Sequence, residues 1–383
     1  MRFKDVAGQQ KVKNRLIQSV KTGRVSHAQL FYGPEGCGNL ALVLAYIQFI
    51  YCENPGPDDS CGVCFACIKS AKLIHPDIHF VFPVATSKEV PDDPTCSKYL
   101  NRWREIVKKN PYINLISWLA YIGVENKQGI ITVHESSEIV KTLLLKPYEA
   151  EYKSVIIWMP EKLHPSAATK LLKIIEEPPE KTFFLLVTHN YESILKTILS
   201  RTSLVKIPRI DDNSLMDYAV EKGTMDRVEA LKCVRYADGN MLRLGTMMES
   251  DASENQFLLS FRKLLQNAYQ YDILAMYAWL DEISLMGREK QKNFLFYGST
   301  ILREALVFVA CNGKINRTGP DETEFITKLS SAILKGNNTW ILRAMAEEME
   351  KAHNHIDRNV NARTVFFDLS VRLCDTIRGE KRT

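Results

Sequence analysis

The sequence predicts a parallel α/β domain built around a phosphate-binding type of loop, followed by an all-helical part. Three observations predict it. Short apolar strands alternate with amphipathic helices as far as about residue 208. A glycine-spaced loop, Gly33-Pro34-Glu35-Gly36-Cys37-Gly38-Asn39-Leu40, follows the first strand and opens a helix. Beyond residue 208 only helical periodicity remains.

With 383 residues the chain is long enough for two or three domains, and at 45% hydrophobic and 25% charged residues it has the composition of an ordinary soluble globular protein. The net charge of +5 permits contact with nucleic acid without arguing for it. The start, Met1-Arg2-Phe3-Lys4-Asp5, has no apolar leader, and no run approaches the length needed to span a bilayer; a cytoplasmic location is expected. Nine cysteines in such a compartment favour metal ligation or free thiols over disulfides.

Taken in order, Val12, Leu16 and Ile17 give a first helix, and Ala28–Tyr32 reads as the first strand. The loop follows. Gly33 and Gly38 keep the spacing of G-x-x-x-x-G-K-[S/T], with Gly36 between them, but Asn39 replaces the lysine that reaches phosphates and Leu40 replaces the hydroxyl that holds magnesium. The helix opened by Leu40 runs to about Tyr51. Cys52, Cys61, Cys64 and Cys67 then form a C-x8-C-x2-C-x2-C run; short knuckles direct thiolates to one centre, and four thiolates close the shell of a structural zinc ion. Cys37 and Cys96 lie outside that spacing and read as small apolar residues, while His75 and His79 are substitute ligands that a complete thiolate shell does not need.

Ile78–Pro83 reads as a strand, and residues 84–128 as an insertion with helices over 98–109 and 112–121, to which the sequence assigns no chemistry; solvent-facing elaboration and a partner contact are both open. A helix is expected over 135–145. Ser154–Glu161 is a buried parallel-type strand that should carry the aspartate that holds magnesium; Trp158 stands at that position, and Glu161 is three residues too far along. Ser166–Glu177 is a helix stopped by Pro178-Pro179, Thr182–Val187 a strand ending in Thr188-His189-Asn190, and Ser200-Arg201-Thr202 precedes the last strand, Ser203–Ile207. Both halves of a hydrolytic apparatus are therefore missing, at the loop and at the strand end.

The series H-A-x-L-F-x-G-P, four cysteines, His-Pro-Asp, A-A-x-K-L-L-K-x-x-E-E-P-P, T-H-N and Ser-Arg-Thr resembles the clamp-loader branch of the AAA+ ATPases. Within it, the ruined loop and missing acids resemble the delta prime subunits of bacterial DNA polymerase III. The resemblance covers residues 5–208 apart from the insertion. It implies that Arg201 is an arginine finger reaching a neighbouring subunit's nucleotide, with Ser200 before it and Thr202 in place of the usual cysteine. It implies that Thr188 stands at a γ-phosphate sensor position, kept here as structure. It makes Cys52, Cys61, Cys64 and Cys67 zinc ligands and residues 170–179 a fold landmark only.

The same resemblance divides the chain into a nucleotide-binding-like domain over 1–208, a helical lid over 209–250 and a helical collar over 253–383. The lid's second sensor arginine is not claimed, because Leu242 aligns there and Arg243 is one position off. Implied partners are the loader's ATPase subunits, its delta subunit, the sliding clamp and primer–template DNA, the last met mainly at phosphates. No ATP hydrolysis is expected, and nucleotide binding is doubtful. Two other classes remain to be separated. One is an active clamp-loader-type ATPase, which Asn39, Leu40 and Trp158 oppose together. The other is a zinc-module DNA-binding regulator, for which no recognition helix or dense basic cluster lies beside the cysteines.

Overall fold

The structure is a computed structural model that describes all residues except 125–126, 224–225, 249–252, 312–317, 319, 335–338, 359 and 380–383. Its elements run α1 Gln10–Lys21, β1 Ala28–Tyr32, α2 Asn39–Ile50, α3 Phe65–Ala71, β2 Ile78–Val81, α4 Cys96–Lys109, α5 Leu115–Tyr121 and α6 Val133–Leu144. Then come β3 Lys153–Trp158, α7 Pro165–Glu176, β4 Thr182–Thr188, α8 Lys196–Leu199 and β5 Ser203–Lys206. The helical remainder is α9 Asp212–Gly223, α10 Arg227–Ala237, α11 Met241–Met248, α12 Ser253–Gln270, α13 Ile273–Ser284, α14 Arg288–Ala310, α15 Pro320–Leu334, α16 Trp340–Asp357 and α17 Ala362–Arg378. Two compact units result: Met1–Met225 with Ala237–Leu244, and Asp226–Tyr236 with Gly245–Thr383.

The first unit holds one five-stranded sheet in the order β2-β3-β4-β1-β5, every pairing parallel. Parallel strands covered on both faces are apolar throughout, and β3 and β4 are buried at every position. The edge strand β5 buries only Val205 and leaves Ser203, Leu204 and Lys206 exposed. Because β1 lies between β4 and β5, the ends of β1 and β4 adjoin, with Tyr32 in register with Thr188. That register brings the glycine loop to the end of β4. Helix α2 is buried from Asn39 to Phe49 and packs on β1, β3 and β4, which is why it is apolar all round.

The segment after β2 departs from the sheet at Val84 and returns at Ile130. These two residues exchange both backbone hydrogen bonds, at 3.1 and 3.0 Å, in an isolated antiparallel bridge. The second helix of this segment starts at Leu115 and not at Tyr112. Asn114 caps it, its side chain accepting the Ser117 N–H at 2.8 Å, and Tyr112 is left in the preceding loop. The aromatic side of the segment turns inward: Tyr99, Trp103 and Trp118 are all buried.

In the second unit, Trp279 donates to Ser260 Oγ at 2.9 Å, and its ring packs against Phe294 and Phe366. Glu322 is buried and accepts from the hydroxyls of Tyr236 and Tyr297. Here one expectation is corrected. The stretch Lys290–Ala310 is long and apolar enough to cross a membrane by length and composition. Its apolar face packs along α16, as expected of a core helix, and that packing demand explains its hydropathy.

The loop leading into β3 is anchored by Asp77, whose carboxylate accepts the N–H groups of Tyr148, Glu149 and Ala150 at 2.6–2.9 Å. Burial alone would raise this carboxyl; the three N–H groups and His75 outweigh it and hold it below the ordinary carboxylate range. A depressed folded value stabilises the fold at pH above the unfolded carboxylate pKa, and the contribution is lost as pH falls through the folded value. Asp77→Asn should therefore cost about 1–3 kcal/mol at neutral pH, read from urea midpoints. The gap to wild type should close on acidification, and a gap independent of pH would rule out this account.

Candidate functional site

The loop between β1 and α2 has Gly36 at φ +74° and Gly38 at φ +86°, left-handed values that glycine adopts without strain. The curled backbone of a phosphate loop is thus retained. Its chemistry is not. Asn39 is buried, and its amide nitrogen donates to the Thr188 carbonyl at 2.9 Å and to His189 Nδ1 at 3.2 Å. Its amide oxygen accepts the N–H of Leu40 at 2.9 Å. The residue at the lysine position therefore ties the loop to the end of β4 and satisfies a donor at the helix start that an anion would otherwise take. Leu40 is buried in the apolar surroundings of α2.

Thr188, at the expected sensor position, donates from Oγ1 to Glu161 at 3.0 Å and accepts the Asn190 N–H at 2.9 Å. Glu161 was expected to lie too far along the chain for a magnesium role. The structure turns its carboxylate back to Thr188, and burial raises that carboxyl above its ordinary value. His189, beside Asn39, is lowered by burial against the opposing pull of Glu35. Accepting from Asn39 at Nδ1 requires the neutral ring to carry its proton on Nε2.

Trp158, where a carboxylate would stand, is wholly buried, with its ring centroid 5.0 Å from that of Trp103 on α4. Trp103 stacks on Phe82 at 4.4 Å and meets Trp118 edge-on at 5.2 Å. The segment over 84–128, to which the sequence assigned no chemistry, thus packs on the acid position. It also reaches the loop. Asn114 donates to Glu35 at 2.7 Å, and Tyr112, whose hydroxyl accepts the Ala7 N–H at 2.9 Å, lays its ring against Gly38. Sequence reasoning missed both residues. The only signal was the Pro111–Asn114 stretch, where a proline and a capping asparagine end the helical pattern.

Arg243 lies on the same unit as the loop and is drawn electrostatically by Glu35 and Asp238, while burial lowers its guanidinium to about 10. Arg201 stands just before β5. Its guanidinium bonds Glu176, at the end of α7, and also donates to the Thr197 carbonyl at 3.0 Å and Ser200 Oγ at 3.2 Å.

The four thiols of Cys52, Cys61, Cys64 and Cys67 lie within 4.8 Å of one another. The N–H groups of Cys61, Cys64 and Cys67 point at the sulfurs of Cys52, Cys61 and Cys64 at 3.2–3.4 Å. N–H groups of Cys64 and Val63 lower the Cys61 thiol to about 6, while burial raises those of Cys52 and Cys67, which a metal's own charge would have to offset. A tetrahedral tetrathiolate zinc, with sulfurs about 2.3 Å from the metal and ~3.8 Å apart, fits this spacing. Cys37 and Cys96 are buried away from the cluster, burial pushing the Cys37 thiol up to about 12. His75 is also outside it, accepting the Asp77 N–H and packing edge-on against Tyr51.

Trp158→Asp tests whether the acid position is closed. A carboxylate placed among Trp103, Phe82 and Trp118 should cost about 3–5 kcal/mol or more in packing and desolvation. Chemical denaturation of the variant should show that loss; a variant as stable as wild type would mean the position opens to water.

A sequence model of the family described as "DNA polymerase III, delta subunit" matches residues 8–211, more than half of the chain. DNA polymerase III subunit tau of Bacillus subtilis is 23% identical over an alignment covering 98% of this chain and 62% of tau. The delta prime subunit of Yersinia pestis is 29% identical over 49% of this chain and 43% of its own length. For the delta prime subunit of Escherichia coli the figures are 23%, 76% and 73%. The chain thus spans less than two thirds of the tau and Yersinia relatives. With an all-parallel sheet, a glycine loop and a helical remainder, the chain belongs to the DNA polymerase III, delta subunit family of clamp-loader proteins.

Proposed function

We propose that the chain is a delta prime-type, non-hydrolysing stator of a DNA polymerase III clamp loader. The observation that carries this reading is the paired loss at the loop and strand end, each filled by a tied or packed side chain: Asn39 bonded to the end of β4, and Trp158 stacked on Trp103. In this reading residues 1–208 form a nucleotide-binding-like domain, 209–250 a lid and 253–383 a collar. The collar joins the chain to the ATPase subunits and the delta subunit in a cytoplasmic ring that opens the sliding clamp and sets it on primer–template DNA. Arg201 serves in trans as the arginine finger. Its planar, permanently charged guanidinium suits phosphate oxygens, and it exchanges the carboxylate of Glu176 for a neighbour's phosphate as the ring assembles. DNA is met at its phosphates.

The four cysteines hold zinc in this reading, with Cys52, Cys61, Cys64 and Cys67 as its ligands. The ion closes the loop over 52–67 and takes no part in a reaction, because four protein ligands leave no open position. One zinc per chain should be found by elemental analysis. Cys67→Ser should lose it and lower the melting temperature, whereas a metal-free wild-type chain of unchanged stability would end this assignment.

The second reading, a hydrolysing gamma/tau-type subunit, draws on the alignment to Bacillus tau along nearly the whole chain. DNA-stimulated ATP turnover separates the two. The isolated chain should be silent, the reconstituted loader active, and a loader carrying Arg201→Ala slowed by about 10³–10⁵-fold, as for other arginine fingers. Turnover by the isolated chain would select the second reading, and an unimpaired Arg201→Ala loader would remove the finger.

A further inference from the structure

The glycine loop is not merely stripped of lysine and hydroxyl; it is filled. Alternating left-handed glycines make the concave backbone that receives anions, and a phosphate approaches such a loop through the space that missing side chains leave. Here that space is taken. A Cβ added to Gly38 would lie 2.8 Å from Cε1 of Tyr112, and one added to Gly36 would lie 1.9 Å from Oδ1 of Asn240. The Met241 N–H closes over the loop by donating to the Gly36 carbonyl at 3.0 Å. Two of the loop's own donors are spent internally, Cys37 N–H on Pro34 O at 3.2 Å and Leu40 N–H on Asn39 Oδ1 at 2.9 Å.

The charge of the site is also supplied from within. Glu35, the third residue of the loop, accepts from Asn114 at 2.7 Å, and its charge acts on Arg243 and on His189. A carboxylate in that place faces the guanidinium of Arg243, which a phosphate would use, and repels a phosphate that arrives. Tyr112 is held on both sides, by the Ala7 N–H at its hydroxyl and by Gly38 under its ring. Both Tyr112 and Asn114 come from the segment between Val84 and Ile130, which gives that segment a role at the loop.

We propose that Glu35 and Tyr112 are the residues that exclude nucleotide from this loop, the carboxylate in place of phosphate charge and the ring in place of ligand volume. The proposal rests on the non-hydrolysing reading and deepens it: returning lysine and hydroxyl to positions 39 and 40 does not reopen the site, whereas removing Glu35 and Tyr112 as well does.

The test is binding of fluorescently labelled ADP with magnesium, followed by anisotropy, to three proteins: wild type, Asn39→Lys/Leu40→Thr, and the same pair combined with Glu35→Ala and Tyr112→Ala. The first two should not bind at about 1 mM, and the fourfold variant should bind at least about 100-fold more tightly. Binding by the double variant as tight as that of the fourfold variant overturns the proposal and leaves the non-hydrolysing reading standing. So does nucleotide binding without turnover by wild type. A fourfold variant that melts cooperatively and still does not bind also overturns it. Should the fourfold variant not fold, hydrogen exchange of the wild-type chain decides. Slow exchange of amides 36–40, unchanged by magnesium ADP, supports internal occupancy, and fast exchange there refutes it.

Discussion

The packing of Trp158 against Trp103 is the constraint on which the arrangement of the first unit depends. A strand end in a parallel sheet is where an open α/β fold makes its crevice. Here the last residue of β3 is an indole inside an aromatic cluster that includes Phe82 and Trp118. With the strand end sealed by that cluster, the segment carrying α4 and α5 has a fixed seat, and the loop before α5 delivers Tyr112 and Asn114 to the glycine loop. The two halves of the site are therefore closed by one piece of chain. Electrostatics follows from the packing: Glu161 and Glu35, the carboxylates nearest the two halves, are each satisfied by a neutral donor, Thr188 and Asn114.

The sheet was legible because parallel strands announce themselves as short apolar runs: Ala28–Tyr32 and Thr182–Val187 fall inside the observed strands, while the run expected over Ser154–Glu161 stops at Trp158, where Pro160 opens a short turn instead. The glycine loop and the cysteine run were legible for a different reason: they depend on spacing, and spacing is a property of sequence. The boundary at Leu115 was less visible, since Asn114 acts as a cap only once the chain has chosen to turn there. The inward course of the segment over 84–128 was not legible at all. Aromatic residues at helical spacing bury themselves against something, but nothing in their order says that the partner is Trp158, far along the chain.

Arg201 illustrates the same limit from the side of charge. Its motif singles it out, yet only the fold shows that Glu176 lies within reach. The carboxylate comes from the end of α7 and the guanidinium from the turn before β5. Long-range ion pairs of this kind are set by the register of the intervening β4. A half-exposed pair contributes little to stability by itself, and its significance lies in fixing the direction of the side chain.

The bridge between Val84 and Ile130 carries a last consequence. An excursion that leaves and re-enters at one rung imposes no spacing on the strands around it. The closure entropy of such an excursion grows only with the logarithm of its length, about 0.6 kcal/mol per doubling. Natural variation can therefore lengthen or shorten this appendage at small thermodynamic expense while the sheet keeps its register. Its tip is under no such freedom, because a deletion that shifted the position of a single tyrosine would uncover the backbone of a helix start.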